Sequence, residues 1–165
     1  NLEPARMEVA AFVKAVVFPD PDNPDLHGER VELVVRGEEG RASAERFRAG
    51  LLDPMLVRLH EAPMGDIWLR DTGPIFVQDE RARLAASAFR FNGWGGKYEL
   101  PEDERMAAIL AGVARAPLLR FDGLVAEGGA IEPDGEGTVI TTRQCLLNPN
   151  RNGAGFVVRL SMMLF

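Results

Sequence analysis

The sequence is poor in the residues that build disulfides and metal centres. Among 165 residues there is one cysteine, Cys145, and there are two histidines, His27 and His60. A single cysteine excludes an intrachain disulfide and is compatible with a reducing compartment. Both histidines lie far from Cys145 in the sequence, so we predict neither a zinc site nor a metal cofactor.

Long apolar runs and an excess of basic charge are also missing. No apolar run approaches the length of a bilayer span, and no charged segment followed by an apolar core opens the chain. We therefore expect no membrane segment, no signal peptide and a cytoplasmic location. The formal net charge of −6 disfavours nonspecific binding to nucleic acid and mildly favours a cationic small ligand. With 46% hydrophobic residues, the length suits one globular domain.

The hydrophobic pattern predicts an α/β fold. Apolar residues at helical spacing predict a first helix that ends before a proline-rich loop at 19–24. A strand is predicted over Val31–Val35, followed by a turn over Gly37–Gly40. A helix over about Ala42–Leu51 and a strand over Met55–Leu59 come next.

The order of elements then changes to hairpin, helix and strand. The hairpin is predicted over Pro74–Gln78 and Leu84–Phe91, the helix from about Glu102 onward, and the strand over Leu118–Phe121. Another hairpin is predicted to begin at Ala130. This ββαβ order spans roughly fifty residues and recurs in part on either side. Because repeated units pack against their neighbours, two and a fraction units predict a partial assembly.

The most informative stretch is Gly65–Pro74, which holds two acids, an arginine and a tryptophan before Gly-Pro. Gly and Pro place these charges where a strand meets a turn. Asp71 beside Trp68 would then suit a planar cation such as guanidinium. The alternative is a buried pair between Arg70 and Asp71 that pins the turn.

Other segments carry candidate ligand-binding residues. Glu127 precedes two glycines, so it either approaches a ligand or is simply solvated beside the start of a hairpin. Trp94 lies in a glycine-rich loop, where it either closes over a ligand or anchors the loop in the core. The cluster Asn148–Asn152 indicates turn chemistry first and ligand contact second. Cys145 has apolar neighbours on one side, so we predict a buried structural thiol.

Together these segments resemble the agmatine deiminase family, which is related to the bacterial peptidyl-arginine deiminases. Any one of them alone would be a weak signal, but their shared order makes a strong one. The resemblance runs from about residue 28 to residue 152. Its motifs are Trp68–Pro74, Phe91–Lys97, Glu127–Gly129, Asp134–Thr138 and Cys145–Asn152.

The resemblance implies the pentein fold, an α/β propeller of five ββαβ units around a central active site. Members hydrolyse a guanidinium to a urea without a metal: a cysteine thiolate attacks, a histidine shuttles protons and two acids hold the substrate. For agmatine the products are N-carbamoylputrescine and ammonia, in putrescine biosynthesis. Carried over by motif, Asp71 binds the guanidinium and Glu127 orients the histidine. Trp94 and Asn92 line the pocket mouth.

The chain departs from the family in two segments. It has neither the Gly-His-x-Asp segment, which carries the histidine and the second guanidinium-binding acid, nor the glycine-flanked cysteine. Residues 1–152 therefore suggest a partial domain, about half of the propeller, and residues 153–165 a divergent apolar tail of a truncated or frameshifted product. We expect an agmatine deiminase-like hydrolase with half of its site. The alternatives are a peptidyl-arginine deiminase and a noncatalytic fragment that binds a ligand or a partner and self-associates.

Overall fold

The computed structural model describes residues 2–18, 22 and 28–153. His27, most of the proline-rich loop and the divergent tail after residue 153 lie outside the described residues. The chain divides into two compact units, Asn1–Pro63 and Met64–Phe165. Within the described ranges, no helix combines the length and the apolar character needed to cross a bilayer.

The first unit is a βαβ arrangement preceded by a helix. Its elements are α1 (Glu3–Val17), β1 (Val31–Val35), α2 (Gly37–Ala49) and β2 (Val57–Glu61). The two strands are parallel, with Val31 opposite Val57. Val13, Val17 and Val57 form the buried core, because the apolar stripe of α1 faces the same cluster as the β-branched residues of the strands.

Two boundaries in this unit differ from the sequence prediction. The predicted turn over Gly37–Gly40 is wrong, since α2 already begins at Gly37 and carries Glu38 and Glu39 in its first turn. Acidic residues are favoured there by the helix dipole. Strand β2 begins at Val57, because the Asp53 side chain accepts a hydrogen bond from Met55 N–H at 2.9 Å and holds Pro54–Leu56 in a 3₁₀ turn.

The second unit contains one complete ββαβ unit, as the sequence predicted. Its elements are α3 (Leu69–Thr72), β3 (Ile75–Gln78), β4 (Leu84–Arg90), α4 (Gly93–Gly96), α5 (Met106–Ala114) and β5 (Leu118–Val125). The sheet order is β3-β4-β5, with β3 antiparallel and β5 parallel to β4. The mixed α/β character of the chain is therefore confirmed.

The pairing of β4 with β5 contains a register shift near the end of both strands. Phe89 pairs with Phe121, but the next residue, Arg90, pairs with Val125. The extra residues form a bulge, which bends the strand and re-aims the side chains that follow. Glu127 lies two residues beyond Val125.

The unit closes with a small hairpin and a short helix. They are β6 (Glu132–Pro133), β7 (Val139–Ile140) and α6 (Arg143–Leu146). The core here consists of Leu124, Ala126, Ile131 and Leu146. The side chain of Asn152 joins this core to β5: it accepts from Val125 N–H at 2.8 Å and donates to the carbonyl oxygens of Val125 and Leu146 at 2.8 and 2.9 Å.

Candidate active site

Asp71 lies in a single helical turn, α3, rather than at the end of a strand. The backbone N–H groups of Asp71 and Thr72 both donate to the Trp68 carbonyl, at 2.9 and 3.0 Å. The turn ends at Gly73, because Pro74 disfavours helical backbone in the residue before it. These hydrogen bonds fix the backbone of Asp71 within a compact turn.

Both oxygens of the Asp71 carboxylate are held by neutral donors. Oδ1 accepts from Gly129 N–H at 3.0 Å, and Oδ2 accepts from the indole Nε1–H of Trp94 at 3.0 Å. A carboxylate can accept about four hydrogen bonds in all, so about two sites remain for a ligand. The side chain is half-buried, and its orientation is set before any ligand arrives.

Asp71 lines a cleft of about 320 Å³. The other lining residues are Asp66, Trp68, Trp94, Lys97 and Tyr98. Aromatic faces and a carboxylate together favour a planar cation, which stacks on the rings while it donates hydrogen bonds to the acid. One cationic group, Lys97 Nζ, lies 5.2 Å from the centroid of the Tyr98 ring.

The tryptophan loop (Asn92–Tyr98) has a left-handed backbone. Trp94 has φ 55° and ψ 41°, and the adjacent Gly93 and Gly95 have φ 63° and 82°. A left-handed tryptophan costs about 1–3 kcal/mol, so the surrounding contacts must over-determine it. Phe91 supplies one of them, with its ring 4.9 Å from the Trp94 ring in an edge-to-face contact.

Asn92 fixes this loop from its first residue. Its Oδ1 accepts from Gly95 N–H at 2.9 Å, and its Nδ2 donates to the Asn150 carbonyl at 2.9 Å. Asn92 lines a separate pocket with Phe91 and Gly93, whereas Trp94 lines the cleft of Asp71. Of the two residues assigned to the pocket mouth, Trp94 therefore lies at the cleft and Asn92 supports the loop behind it.

Glu127 is buried, with 5% of its surface exposed, so the solvated alternative is wrong. Its Oε1 lies 2.8 Å from Arg151 Nη2, an ion pair whose angles do not meet those of a hydrogen bond. The Glu127–Gly129 segment is held against α3, because Gly129 N–H binds Asp71 and Gly128 packs on the Arg70 carbonyl with no room for a Cβ. The two predicted acids thus come from adjoining segments.

Arg70 does not pair with Asp71, so the alternative of a buried Arg-Asp pair is wrong. Its guanidinium is largely exposed and binds Glu132 Oε2 at 3.0 Å and the Ile131 carbonyl at 3.3 Å. The reason is the helical geometry of α3, which points consecutive side chains in different directions. Asp71 consequently keeps its remaining acceptor capacity for the cleft.

Cys145 does not line the cleft, and His60 belongs to the first unit. Cys145 is a half-buried free thiol in α6, and its N–H donates to Thr142 Oγ1 at 3.1 Å. His60 lies in the first unit, where Nε2 is 2.6 Å from Glu32 Oε2. Within the described parts of the chain, no group of three or more His, Cys, Asp or Glu side chains is arranged to hold a metal ion.

Sequence reasoning missed two charged residues that support the site, one completely buried and one largely buried. The carboxylate of Asp103 is completely buried, and its Oδ1 accepts from Gly65 N–H at 2.7 Å and Asp66 N–H at 3.3 Å. Asp103 thereby fixes the segment that leads into the cleft. Arg151 is the other residue. The sequence carries no local sign of either role, since an acid before a helix and an arginine in a turn are normally solvated.

Comparisons with known proteins identify the family. A sequence model described as Porphyromonas-type peptidyl-arginine deiminase matches residues 1–155. The agmatine deiminase of Stutzerimonas stutzeri is 38% identical over 157 residues, which cover 92% of this chain and 39% of that protein. The agmatine deiminase of Pseudomonas aeruginosa is 36% identical over 155 residues, 91% of this chain and 38% of that protein.

Solved structures give the same result. The agmatine deiminase of C. jejuni with substrate bound is 29% identical, has a TM-score of 0.72 and aligns over 92% of this chain and 40% of its own. The Enterococcus faecalis agmatine deiminase has a TM-score of 0.77 at 24% identity, over 98% of this chain and 41% of its own, and so shows the shared fold. The chain spans about two fifths of the length of the curated relatives it matches. It belongs to the Porphyromonas-type peptidyl-arginine deiminase family.

Proposed function

We propose that this chain forms the guanidinium-binding part of an agmatine deiminase-like hydrolase. The substrate would be agmatine, and the products N-carbamoylputrescine and ammonia, within putrescine biosynthesis in the cytoplasm. The observation that carries the proposal is the Asp71 carboxylate, which two fixed donors orient at an aromatic cleft. The agmatine deiminases named above support the choice of substrate.

We also propose that the ββαβ unit from β3 to β5 is one blade of a pentein propeller, of which the chain carries about half. The support is the order of elements and the likeness to agmatine deiminase structures. In that arrangement the cleft faces the propeller axis. The blade then presents Asp71 and Glu127 at one end of its sheet.

The chemistry explains why a fixed carboxylate is needed. A guanidinium is a poor electrophile because its charge is delocalised, and it loses hydration on entering a cleft. A carboxylate already held by Trp94 and Gly129 compensates the lost hydration and orients the carbon for attack without reorganising. Trp68 and Trp94 offer faces on which the planar cation can stack. Glu127 would orient the histidine that shuttles protons.

Binding and hydrolysis are separable in this chain. Hydrolysis needs a thiolate and a proton shuttle beside the guanidinium carbon. In the described residues Cys145 does not line the cleft, and the sequence has no Gly-His-x-Asp segment to supply the shuttle. We therefore propose that the 165-residue chain binds agmatine and does not turn it over.

Calorimetric titration tests this proposal. The chain should bind agmatine and should not bind putrescine, which has the same amine and carbon chain but no guanidinium. Ammonia release should stay at the level of the buffer. Equal affinity for the two ligands, or no binding of agmatine, would contradict the proposal that this chain has a guanidinium-binding site.

Peptidyl arginine is the second candidate substrate. Lys97 lines the cleft, and its ammonium group would repel the terminal amine of agmatine but would favour the carbonyl or carboxylate oxygens of a peptide. Competition separates the two candidates. If the arginine peptide displaces bound agmatine at a lower concentration than agmatine needs to displace the bound peptide, the peptide is the preferred ligand. Lys97→Ala should then shift the preference towards agmatine.

A binding fragment that self-associates is the remaining alternative, and it concerns a partner rather than a substrate. Large apolar side chains are exposed in each unit, for example Phe12 at 70%, Met55 at 79% and Ile140 at 70%. Where such side chains form a contiguous patch, the patch favours homo-oligomers. Sedimentation should show a dimer or a larger species, and a stable monomer at high concentration would speak against this alternative.

Gly129→Ala should weaken agmatine binding about tenfold, because a Cβ at this position would overlap Asp71 Oδ1 and push the carboxylate out of its hydrogen bond. The matched control is Gly112→Ala, where a Cβ would meet open space. Calorimetry with both variants measures the difference. If Gly129→Ala binds as tightly as Gly112→Ala, the backbone contact to Asp71 has no part in recognition.

Cys145→Ser should leave agmatine affinity within twofold of the starting protein. The thiol lies in α6 and does not line the cleft. The swap of sulfur for oxygen in a half-buried position should cost only about 1 kcal/mol of stability. A large loss of agmatine affinity in a folded Cys145→Ser protein would show that this thiol belongs to the site.

A further inference from the structure

A buried arginine connects the two predicted acids of the site. We propose that Arg151 is a positioning residue that holds Glu127 on one side and the tryptophan loop on the other, so that one guanidinium of the protein sets both Glu127 and, through Trp94, Asp71. The consequence for agmatine rests on the proposed function. The coupling between Arg151 and Trp94 does not, since it exists in the ligand-free protein.

Burial shows that Arg151 is part of the interior. Its side chain is 11% exposed and that of Glu127 is 6% exposed, with Nη2 and Oε1 2.8 Å apart. Arginine side chains are mostly exposed, and those withdrawn from solvent to this extent normally have a charged partner. Removing one partner of such a pair leaves an uncompensated charge, so each residue depends on the other for its position.

Arg151 also packs directly on the backbone of the tryptophan loop. A Cβ added at Gly95 would overlap Arg151 Nη1 and the side-chain amide of Asn150. The flat guanidinium therefore lies where only glycine leaves room. Gly95 follows Trp94, whose indole donates to Asp71 Oδ2, so a movement of Arg151 is passed to Asp71 through two successive residues.

Hydrogen bonds hold Arg151 itself in place, so it can position the residues that it contacts. Its N–H donates to the Asn148 carbonyl at 2.8 Å, and its Nη1 donates to Asn150 Oδ1 at 3.3 Å. The next residue, Asn152, is bound to both the N–H and the carbonyl of Val125. The hydrogen bonds of the turn Asn148–Asn152 thus fix the position from which the Arg151 side chain extends.

The pair of Arg151 and Glu127 leaves some of its hydrogen-bonding atoms without a partner among the described residues. Arg151 Nε and Glu127 Oε1 are buried and have no hydrogen-bond partner among the described residues. Charge and packing, rather than a two-pronged hydrogen bond, therefore hold the two side chains together. This arrangement depends on the flat shape of arginine against Gly95, which lysine cannot reproduce.

Arg151→Lys is the decisive variant, because it keeps the charge beside Glu127 and loses the flat contact with Gly95. If Arg151 only neutralised Glu127, lysine would suffice. We expect a folded protein in which the ligand-free indole N–H resonance of Trp94 shifts in nitrogen-15 spectra and agmatine affinity falls about tenfold. Trp68→Phe assigns the two indole signals.

Arg143→Lys is the matched control, since Arg143 is exposed in α6. It should change neither the Trp94 resonance nor the affinity. If Arg151→Lys also leaves the Trp94 resonance in place, the proposal is overturned, whatever happens to agmatine. If the parent chain fails to bind agmatine while the Trp94 resonance shifts in Arg151→Lys, the proposed function fails and the coupling stands.

A second measurement covers the case in which Arg151→Lys does not fold. The double variant Arg151→Met with Glu127→Gln removes both buried charges at similar volume. It should fold and should still show the Trp94 shift, because the flat contact is absent. An unshifted Trp94 resonance in this double variant would equally overturn the proposal.

Discussion

Asp71→Asn is expected to weaken agmatine binding about thirty- to hundredfold. The amide keeps the shape of the side chain but removes the negative charge, and hydrogen bonds to a charged partner contribute about 1.5–3 kcal/mol. Asparagine also presents an N–H₂ group to either Trp94 Nε1–H or Gly129 N–H, both of which are donors. One of those contacts must therefore be lost, which loosens either the loop that carries Trp94 or the link to Gly129.

Asp66→Asn is the matched control for Asp71→Asn. Asp66 lines the same cleft, but its Oδ1 is engaged locally, by Ile67 N–H at 2.7 Å. It contributes to the electrostatic potential of the cleft, but this local hydrogen bond already engages its carboxylate, so we expect a loss of about threefold or less. Calorimetric dissociation constants that are equal for Asp71→Asn and the parent chain would exclude Asp71 from the site.

Asp103→Ala should lower the free energy of unfolding by about 2–4 kcal/mol, because two half-buried donors, Gly65 N–H and Asp66 N–H, lose their buried acceptor. The change should also weaken agmatine binding, since these donors begin the segment that carries Trp68 and Asp71. Urea denaturation followed by circular dichroism measures the first effect, and calorimetry the second.

Asp103→Asn separates the hydrogen bonds from the charge. The amide oxygen can still accept from both N–H groups, so we expect most of the stability to return. If Asp103→Ala unfolds at the same urea concentration as the parent chain, the contacts at Asp103 Oδ1 are energetically unimportant. If both variants are equally destabilised, the charge rather than the acceptor matters.

The order of elements in the second unit could be predicted from the sequence. The β3–β4 hairpin shows apolar stretches separated by the charged Asp79–Arg83 segment, and helix α5 shows helical spacing of its apolar residues. Both signals are local, because the period of the hydrophobic pattern reports directly on the backbone. The hydrophobic pattern carries no information on side-chain caps, so boundaries that caps set, such as that of Asp53 before β2, were missed.

The partners of charged residues could not be predicted. Arg70 and Asp71 are adjacent in the sequence, yet Arg70 binds Glu132 while Asp71 binds Trp94 and Gly129. These partners are far apart in the sequence, and their contacts depend on the bulge in β5 and on the short turn α3. Trp94 and Glu127 were candidates from their glycine-rich surroundings and received roles through the resemblance, whereas the roles of Asp103 and Arg151 required the structure.

The structure also changes the meaning of the glycine-rich motifs. In the sequence they indicate a loop and a hairpin start near a ligand, and in the structure Gly95 and Gly129 are positions where a side chain would overlap Arg151 or Asp71. Close approach of the backbone is therefore their common role. This explains why the motifs flank the candidate acids rather than standing apart from them.

The indole N–H of Trp94 provides the most direct test that the Asp71 cleft binds a guanidinium. This proton is donated to Asp71 Oδ2, so a cation that binds the same carboxylate must change its chemical environment. Titration with agmatine should shift the Trp94 resonance to saturation in nitrogen-15 spectra, and putrescine should not. A Trp94 resonance that stays in place while agmatine binds would contradict the account, because recognition would then occur away from Asp71.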